Sequence, residues 1–282
     1  MGKGNEMLKG VFSPMCTPFI NDEVDYAGME KNVNIMNSSG LKGYFVLGTN
    51  GEFKTMSEDE RFKLLALVIK KAAKNKVVMA GTGAESTRET IRLTKKAADM
   101  GASMVSLLMP NFFAKKVTEA VMIRHITEVA DASSVPVVLY NNPSVAAGVT
   151  ITPGVIKEVS SHPNVVGVKD SSKETWPENV VFNSSTFSVM AGSAGYFLDL
   201  LDRGGTGGVL SLANVFPDEC ARLYNLYVSG KKEEAVELNK KLVDLNKKVS
   251  GSYGVAGVKY AMDLAGFAGG VPRRPLAGLN DE

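Results

Sequence analysis

The sequence is poor in the residues that most metal and redox chemistry depends on. Across 282 residues it has two cysteines, Cys16 and Cys220, and two histidines, His125 and His162. Two distant thiols make neither a disulfide framework nor a metal-ligand cluster, and two histidines cannot build a His-rich site. No metal is expected. No stretch reaches the roughly 18 uninterrupted apolar residues of a membrane-spanning helix, and the polar start, Met1 to Gly10, has no apolar signal core. A soluble, cytoplasmic protein is the expectation. Neither sign of charge dominates: 32 basic and 30 acidic residues are interspersed and leave a net +2. Nothing in that balance marks nucleic acid or a membrane surface as a partner. There is no Walker sequence, and Gly81-Thr82-Gly83 lacks the third glycine and downstream acid of a dinucleotide fingerprint.

What is present is an ordinary globular mixture, 44% hydrophobic and 22% charged, long enough to bury one large core or two modest ones. Short apolar runs alternate with amphipathic stretches at a step of roughly thirty residues, the length of a strand and its crossover helix. Eight strands are expected, at residues 11–14, 43–47, 77–80, 104–108, 136–140, 165–169, 187–191 and 208–212. They are apolar on both faces, as parallel strands covered by helices should be. Helix starts are marked by Ser57 with Glu60, by Ser86 with Glu89, and by Thr152 followed by Pro153. Eight parallel units in one run favour a (β/α)8 TIM barrel, with an open doubly wound sheet as the alternative. Beyond the eighth unit, Ala235, Leu238, Leu242, Leu245 and Val249 recur at helical spacing, and residues 255–267 suggest a further helix. The expected organisation is a catalytic barrel over residues 1–225 with additional C-terminal helices over 226–282.

In such a barrel the loops after the strands build the active site. Five strand ends carry unusual groups: Gly48-Thr49-Asn50-Gly51-Glu52, Gly81-Thr82-Gly83, Tyr140-Asn141-Asn142-Pro143, Lys169-Asp170-Ser171-Ser172 and Gly192-Ser193-Ala194-Gly195. Lys169 ends an apolar strand and, by alternation, shares a face with Val165 and Gly167, where glycine would leave room beneath a long side chain. Burial lowers a lysine pKa toward the range in which the neutral amine can attack a carbonyl. The plainer alternative is a lysine reaching solvent from a strand end. Tyr140, inward with Val138, could move protons at the attacked oxygen. Thr49-Asn50-Gly51 offers a hydroxyl, an amide and backbone donors suited to a carboxylate, although the same residues suit a plain turn. Gly204-Gly205-Thr206-Gly207-Gly208 resembles a phosphate loop but precedes the eighth strand, at the other end of the barrel. Glu52 and Asp170 without nearby histidine or cysteine make a poor metal site. His125 reads as structural within an amphipathic helix, and Phe112 and Phe113 as core or lid.

Taken in order, Gly48-Thr49-Asn50-Gly51-Glu52, Tyr140-Asn141-Asn142-Pro143 and Gly167-Val168-Lys169-Asp170-Ser171 resemble the dihydrodipicolinate synthase and N-acetylneuraminate lyase superfamily over nearly the whole chain. The resemblance implies a class I lyase. Lys169 would form a Schiff base with a pyruvate-type 2-oxo acid, Tyr140 would shuttle protons, and Thr49, Asn50 and Gly51 would hold the carboxylate. Ser171 and Gly192 would border the substrate. It implies no metal or organic cofactor, and a homotetramer.

Two departures bear on substrate. Val145 stands where synthases of that superfamily carry an arginine for a second carboxylate, and an aliphatic chain cannot make that bidentate pair. Phe112 and Phe113 stand where most members place a tyrosine that completes a proton relay. Further stretches, Ala80 to Thr87, His162 to Ser171, Ala191 to Tyr196 and Tyr253 to Lys259, resemble 4-hydroxy-2-oxoglutarate aldolases. Retro-aldol cleavage of a 4-hydroxy-2-oxo acid to pyruvate and an aldehyde is therefore the first expectation. A 2-keto-3-deoxy sugar-acid aldolase or dehydratase, a dihydrodipicolinate synthase and a noncatalytic 2-oxo-acid-binding barrel are the alternatives.

Overall fold

A computed structural model describes residues 3–279; the outer limits of the two expected domains, at 1 and 282, lie outside the described residues. Eight parallel strands form: β1 (Gly10–Pro14), β2 (Gly43–Val46), β3 (Val77–Gly81), β4 (Met104–Leu108), β5 (Val137–Asn141), β6 (Val165–Asp170), β7 (Ser188–Ala191) and β8 (Gly207–Val209). Their order, β1-β8-β7-β6-β5-β4-β3-β2, closes on itself as a barrel. The doubly wound alternative is thereby set aside. Nearly every strand residue is buried, because helices cover one face and the strands' own side chains fill the other.

The helices between strands begin where cap chemistry directs. In α2 (Glu58–Lys71) the Ser57 hydroxyl accepts from the Glu60 N–H while the Glu60 carboxylate accepts from the Ser57 N–H, so both halves of the capping box form. At α3 (Thr87–Asp99) only the Ser86 half forms, and the Glu89 carboxylate instead pairs with Arg92 one turn on. Thr152 caps α5 (Pro153–Val159), with proline at its first turn where no N–H is missed. Two others complete the scaffold used below, α1 (Tyr26–Asn37) and α4 (Glu119–Ala132).

The eighth strand is shorter than the apolar run 208–212. Asn214 is the reason: its amide donates to the Pro14 and Ser211 carbonyls and its oxygen accepts the Cys16 N–H. Those bonds turn Ser211–Asn214 into a 3-10 segment at the end of β1. Of the discounted glycine run, Gly207 and Gly208 lie inside β8 itself.

The chain divides into two compact units, Met1–Lys9 with Met79–Gly208, and Gly10–Val78 with Val209–Glu282. The first carries β4 to β7 and the helices among them. The second carries β1 and β2 and ends in α6 (Pro217–Val228), α7 (Lys232–Asn246) and α8 (Ser252–Leu264). The helical spacing from Ala235 to Val249 is carried by α7, which continues without a break into a wider helical turn, Lys247–Gly251. Within α8, Gly254 sits at φ 55°, ψ −138°, a conformation only glycine adopts readily. Among the described residues no helix is long and apolar enough to cross a membrane.

Candidate active site

In the first unit, β5 and β6 run side by side with Tyr140 opposite Lys169 and Asn141 opposite Asp170. Strand alternation then divides the work, since Tyr140 and Lys169 share one face of the sheet and Asn141 and Asp170 the other. Lys169 is 4% exposed, and its Nζ lies 3.9 Å from the centre of the Tyr140 ring. Burial pushes the Lys169 ammonium below the usual lysine range, while Tyr140 pulls it partly back. A lysine held this way reaches its neutral, nucleophilic form at lower pH than a surface lysine. The alternative of a solvated lysine is excluded by that burial.

Gly167 does not leave the room beneath Lys169 that its place on the same face suggested. A Cβ there would meet the Ser188 carbonyl oxygen at 2.4 Å and a Leu8 methyl at 3.1 Å. Glycine admits the neighbouring strand and the N-terminal segment, not the lysine stem.

Behind the two strands lies a polar network that the sequence left unread. The Asp170 carboxylate accepts from Asn141 Nδ2 at 3.0 Å, the Ser172 N–H at 2.9 Å, Thr175 Oγ1 at 3.0 and 3.1 Å, and Asn179 Nδ2 at 2.7 Å. Burial raises its pKa, and those four donors oppose the rise. Asn141 also donates to Thr175 Oγ1 and accepts the Ile151 N–H. Asp170, Asn141 and Asn179 are all essentially inaccessible. A buried carboxylate without a cation is tolerable only because so many donors surround it. The alternation of polar with inward residues in Tyr140-Asn141 and Lys169-Asp170 was the available signal.

Asn142, at the same strand end, donates from Nδ2 to the Tyr140 hydroxyl at 2.9 Å and accepts from Ser144 Oγ. Tyr140 therefore has a polar partner from its own loop. Phe112 and Phe113 are neither core nor covered lid: they are 78% and 72% exposed and meet edge-to-face with ring centres 4.9 Å apart. Ser171 and Gly192 come together, for a Cβ on Gly192 would stand 2.0 Å from Ser171 Oγ and 2.8 Å from the Asp170 carbonyl. Only glycine lets the β7 end approach the β6 end so closely, and the Gly192 N–H donates to that Asp170 carbonyl.

Thr49, Asn50 and Gly51 belong to the second unit. The Gly51 N–H donates to the Gly48 carbonyl and the Glu52 N–H to that of Thr49, so the turn itself uses one of the expected backbone donors, that of Gly51. A 3-10 turn, Phe53–Thr55, follows rather than an α-helix. Asn50 Oδ1 accepts from Ser211, while its Nδ2 is buried without a hydrogen-bond partner among the described residues. The Cys16 thiol interacts with Asn50 but is held protonated, its pKa pushed up to about 12 by burial, and a neutral thiol is a weak acceptor.

His125 is buried in α4, shares a 2.9 Å hydrogen bond through Nδ1 with Thr87, and has its pKa lowered to about 4 by burial. That burial within an amphipathic helix fits the structural reading. Among the described residues no group of three or more histidine, cysteine or carboxylate side chains could hold a metal ion.

Comparison with known proteins adds to this geometry. Residues 7–282 match the model of the dihydrodipicolinate synthetase family. The 4-hydroxy-tetrahydrodipicolinate synthase of Methanococcus aeolicus is 34% identical over 276 residues, covering 98% of this chain and 95% of that protein. The probable mitochondrial 4-hydroxy-2-oxoglutarate aldolase of Emericella nidulans is 34% identical over 284 residues, covering 98% and 91%. The crystal structure of dihydrodipicolinate synthase from Thermotoga maritima matches with a TM-score of 0.92 at 30% identity, covering 98% of this chain and 94% of that one.

Proposed function

Because the chain belongs to the dihydrodipicolinate synthetase family and shares its class I, pyruvate-dependent lyase chemistry, we propose that Lys169 is the residue that forms the Schiff base. The observation carrying this is a buried lysine, its pKa lowered, standing in register with a tyrosine on the next strand. The neutral amine adds to the 2-oxo carbon, water leaves, and the resulting iminium accepts the electron pair of the C3–H or C3–C4 bond that breaks. Tyr140 moves the proton between the substrate oxygens and solvent. Thr49, Asn50 and Gly51 hold the carboxylate, with the Asn50 amide as its principal donor. Ser171 and Gly192 border the substrate. Borohydride reduction in the presence of pyruvate, followed by peptide mass spectrometry, tests the assignment. An adduct on Lys169 and its loss in Lys169→Ala are expected, and an adduct on another lysine would refute it.

The second reactant is a separate question. The sequence put cleavage of a 4-hydroxy-2-oxo acid first, but the relatives support the synthase reaction better, in which the pyruvate enamine adds to an aldehyde. That condensation takes first place. Val145 supports the cleavage reading: it is an aliphatic side chain, 39% exposed, in the turn Pro143–Val145 after Tyr140, and brings no cation for a second carboxylate. A panel of aspartate semialdehyde with pyruvate, 4-hydroxy-2-oxoglutarate and 2-keto-3-deoxy sugar acids separates these. Turnover of the oxoglutarate alone would reverse the order. The noncatalytic barrel is set aside, since membership of the family supports catalysis.

A further inference from the structure

The chemistry above uses neither Glu52, the last residue of the Gly48-Thr49-Asn50-Gly51-Glu52 loop, nor Lys259 of the C-terminal helix α8. Both are buried, with side chains 1% and 0% exposed. Lys259 Nζ donates to Glu52 Oε1 at 2.5 Å and to the Val271 carbonyl at 2.8 Å, and lies 4.5 Å from the centre of the Phe19 ring. The second carboxylate oxygen of Glu52 accepts the Arg273 N–H at 2.8 Å. One carboxylate therefore fastens the helix and the chain beyond it to a single point.

That point is the loop itself. Glu52 adopts the left-handed conformation at φ 53°, unusual for a residue with a side chain. Its N–H closes the turn on the Thr49 carbonyl at 3.0 Å, and the Thr17 hydroxyl holds the Gly51 carbonyl at 2.8 Å. The turn that presents Thr49 and Asn50 is thus closed by the residue carrying the buried charge. Burial lowers the Lys259 pKa and Glu52 opposes the fall, so the pair's attraction works against a desolvation cost. Buried pairs of this kind are commonly no more stabilising than apolar residues of the same volume. A requirement for one backbone geometry is what an apolar replacement would not satisfy.

We propose that the Glu52–Lys259 pair is a positioning device through which helix α8 and residues 271–273 set the loop that takes the substrate carboxylate. This rests on the assignment of Thr49 and Asn50 to that carboxylate. In it the C-terminal helices are part of the substrate site's support and not merely an appendage.

The test compares wild type, Glu52→Gln and the double variant E52Q/K259M in borohydride trapping on Lys169, with pyruvate and with methyl pyruvate, whose carboxylate is esterified. A loosened loop raises the half-saturating pyruvate concentration by about tenfold or more, while that for methyl pyruvate moves less than about twofold. Should Glu52→Gln leave an unpaired buried ammonium and fail to fold, the double variant, neutral at both positions, carries the test. Unchanged half-saturation for pyruvate in a folded variant would overturn the inference and leave the Lys169 assignment standing. So would an equal change for both compounds, which marks a general structural role. Absence of any adduct in wild type would instead remove the Schiff-base assignment, and the inference with it.

Discussion

Replacing Asn141 with leucine keeps the volume nearly constant and removes three hydrogen bonds at once. Those lost are Nδ2 to Asp170 Oδ1 at 3.0 Å, Nδ2 to Thr175 Oγ1 at 2.8 Å, and the Ile151 N–H to Oδ1 at 3.0 Å. Ile151 is buried, so its N–H is left without an acceptor, at a cost of about 1–3 kcal/mol. Asp170 loses one of four donors to a buried carboxylate, a charge-assisted bond worth about 1.5–3 kcal/mol. The sum, about 2.5–6 kcal/mol, is a large fraction of the roughly 5–15 kcal/mol that holds a typical domain together. Urea unfolding at pH 7 should show a lower midpoint at unchanged slope. In the folded fraction, trapping at Lys169 should slow, because the register of Tyr140 against Lys169 is set by the pair behind it. A loss below about 1 kcal/mol with trapping unchanged would refute this account of the network.

Two further predictions concern acid stability. Burial lowers the His125 pKa to about 4, below the ordinary histidine value of about 6.5; the unfolded chain therefore binds the extra proton between those values, and stability falls as pH drops from about 6.5 toward 4. The full effect is about 3 kcal/mol and roughly 2 of it is gone by pH 5, so Tm in His125→Gln should fall less steeply between pH 7 and 5; parallel curves would rule the histidine out. Glu60 receives a two-pronged bond from Arg273, at 2.6 and 2.9 Å, which with its Ser57 bonds holds its pKa at about 2. Stability from it is complete above pH 4.5 and lost as pH falls toward 2, about 1–2 kcal/mol once partial solvent screening is allowed for. Arg273→Gln should show that deficit by urea titration at pH 7 but little of it near pH 2, and an equal deficit at both would count against the ion pair.

Strand positions were readable because burial on both faces leaves little choice but short apolar runs, and seven of the eight begin and end within a residue of expectation. The eighth was not, since an asparagine five residues past its end, Asn214, takes over the backbone bonds that would have continued it. Lys169 and Tyr140 were legible as odd polar residues closing apolar strands. Their supports were not: the value of Asn141 depends on which residue of β6 lies opposite, and that register is a property of the paired strands. Gly167 was misjudged for the same reason, because the atom it makes room for, the Ser188 oxygen, belongs to another strand. The Glu52–Lys259 pair joins positions 207 apart in sequence, and no local pattern relates them.

Strand alternation explains why the two motifs read Tyr-Asn and Lys-Asp. A parallel strand buried on both faces must present something to each, and at the ends of β5 and β6 one face carries Tyr140 and Lys169 while the other carries Asn141 and Asp170. Lys169 needs an environment dry enough to favour its neutral form. Dryness removes water as a partner for every backbone and side-chain group nearby, so the reverse face must satisfy its own polar groups internally. Asn141 and Asp170 do this for each other, for Thr175 and for Ile151. The Asn141–Asp170 bond crosses between the two strands in the register that puts Tyr140 beside Lys169. On the proposed role of Lys169, each dipeptide then acts as one unit, and a substitution in its outward half is expected to slow Schiff-base trapping by shifting the inward half.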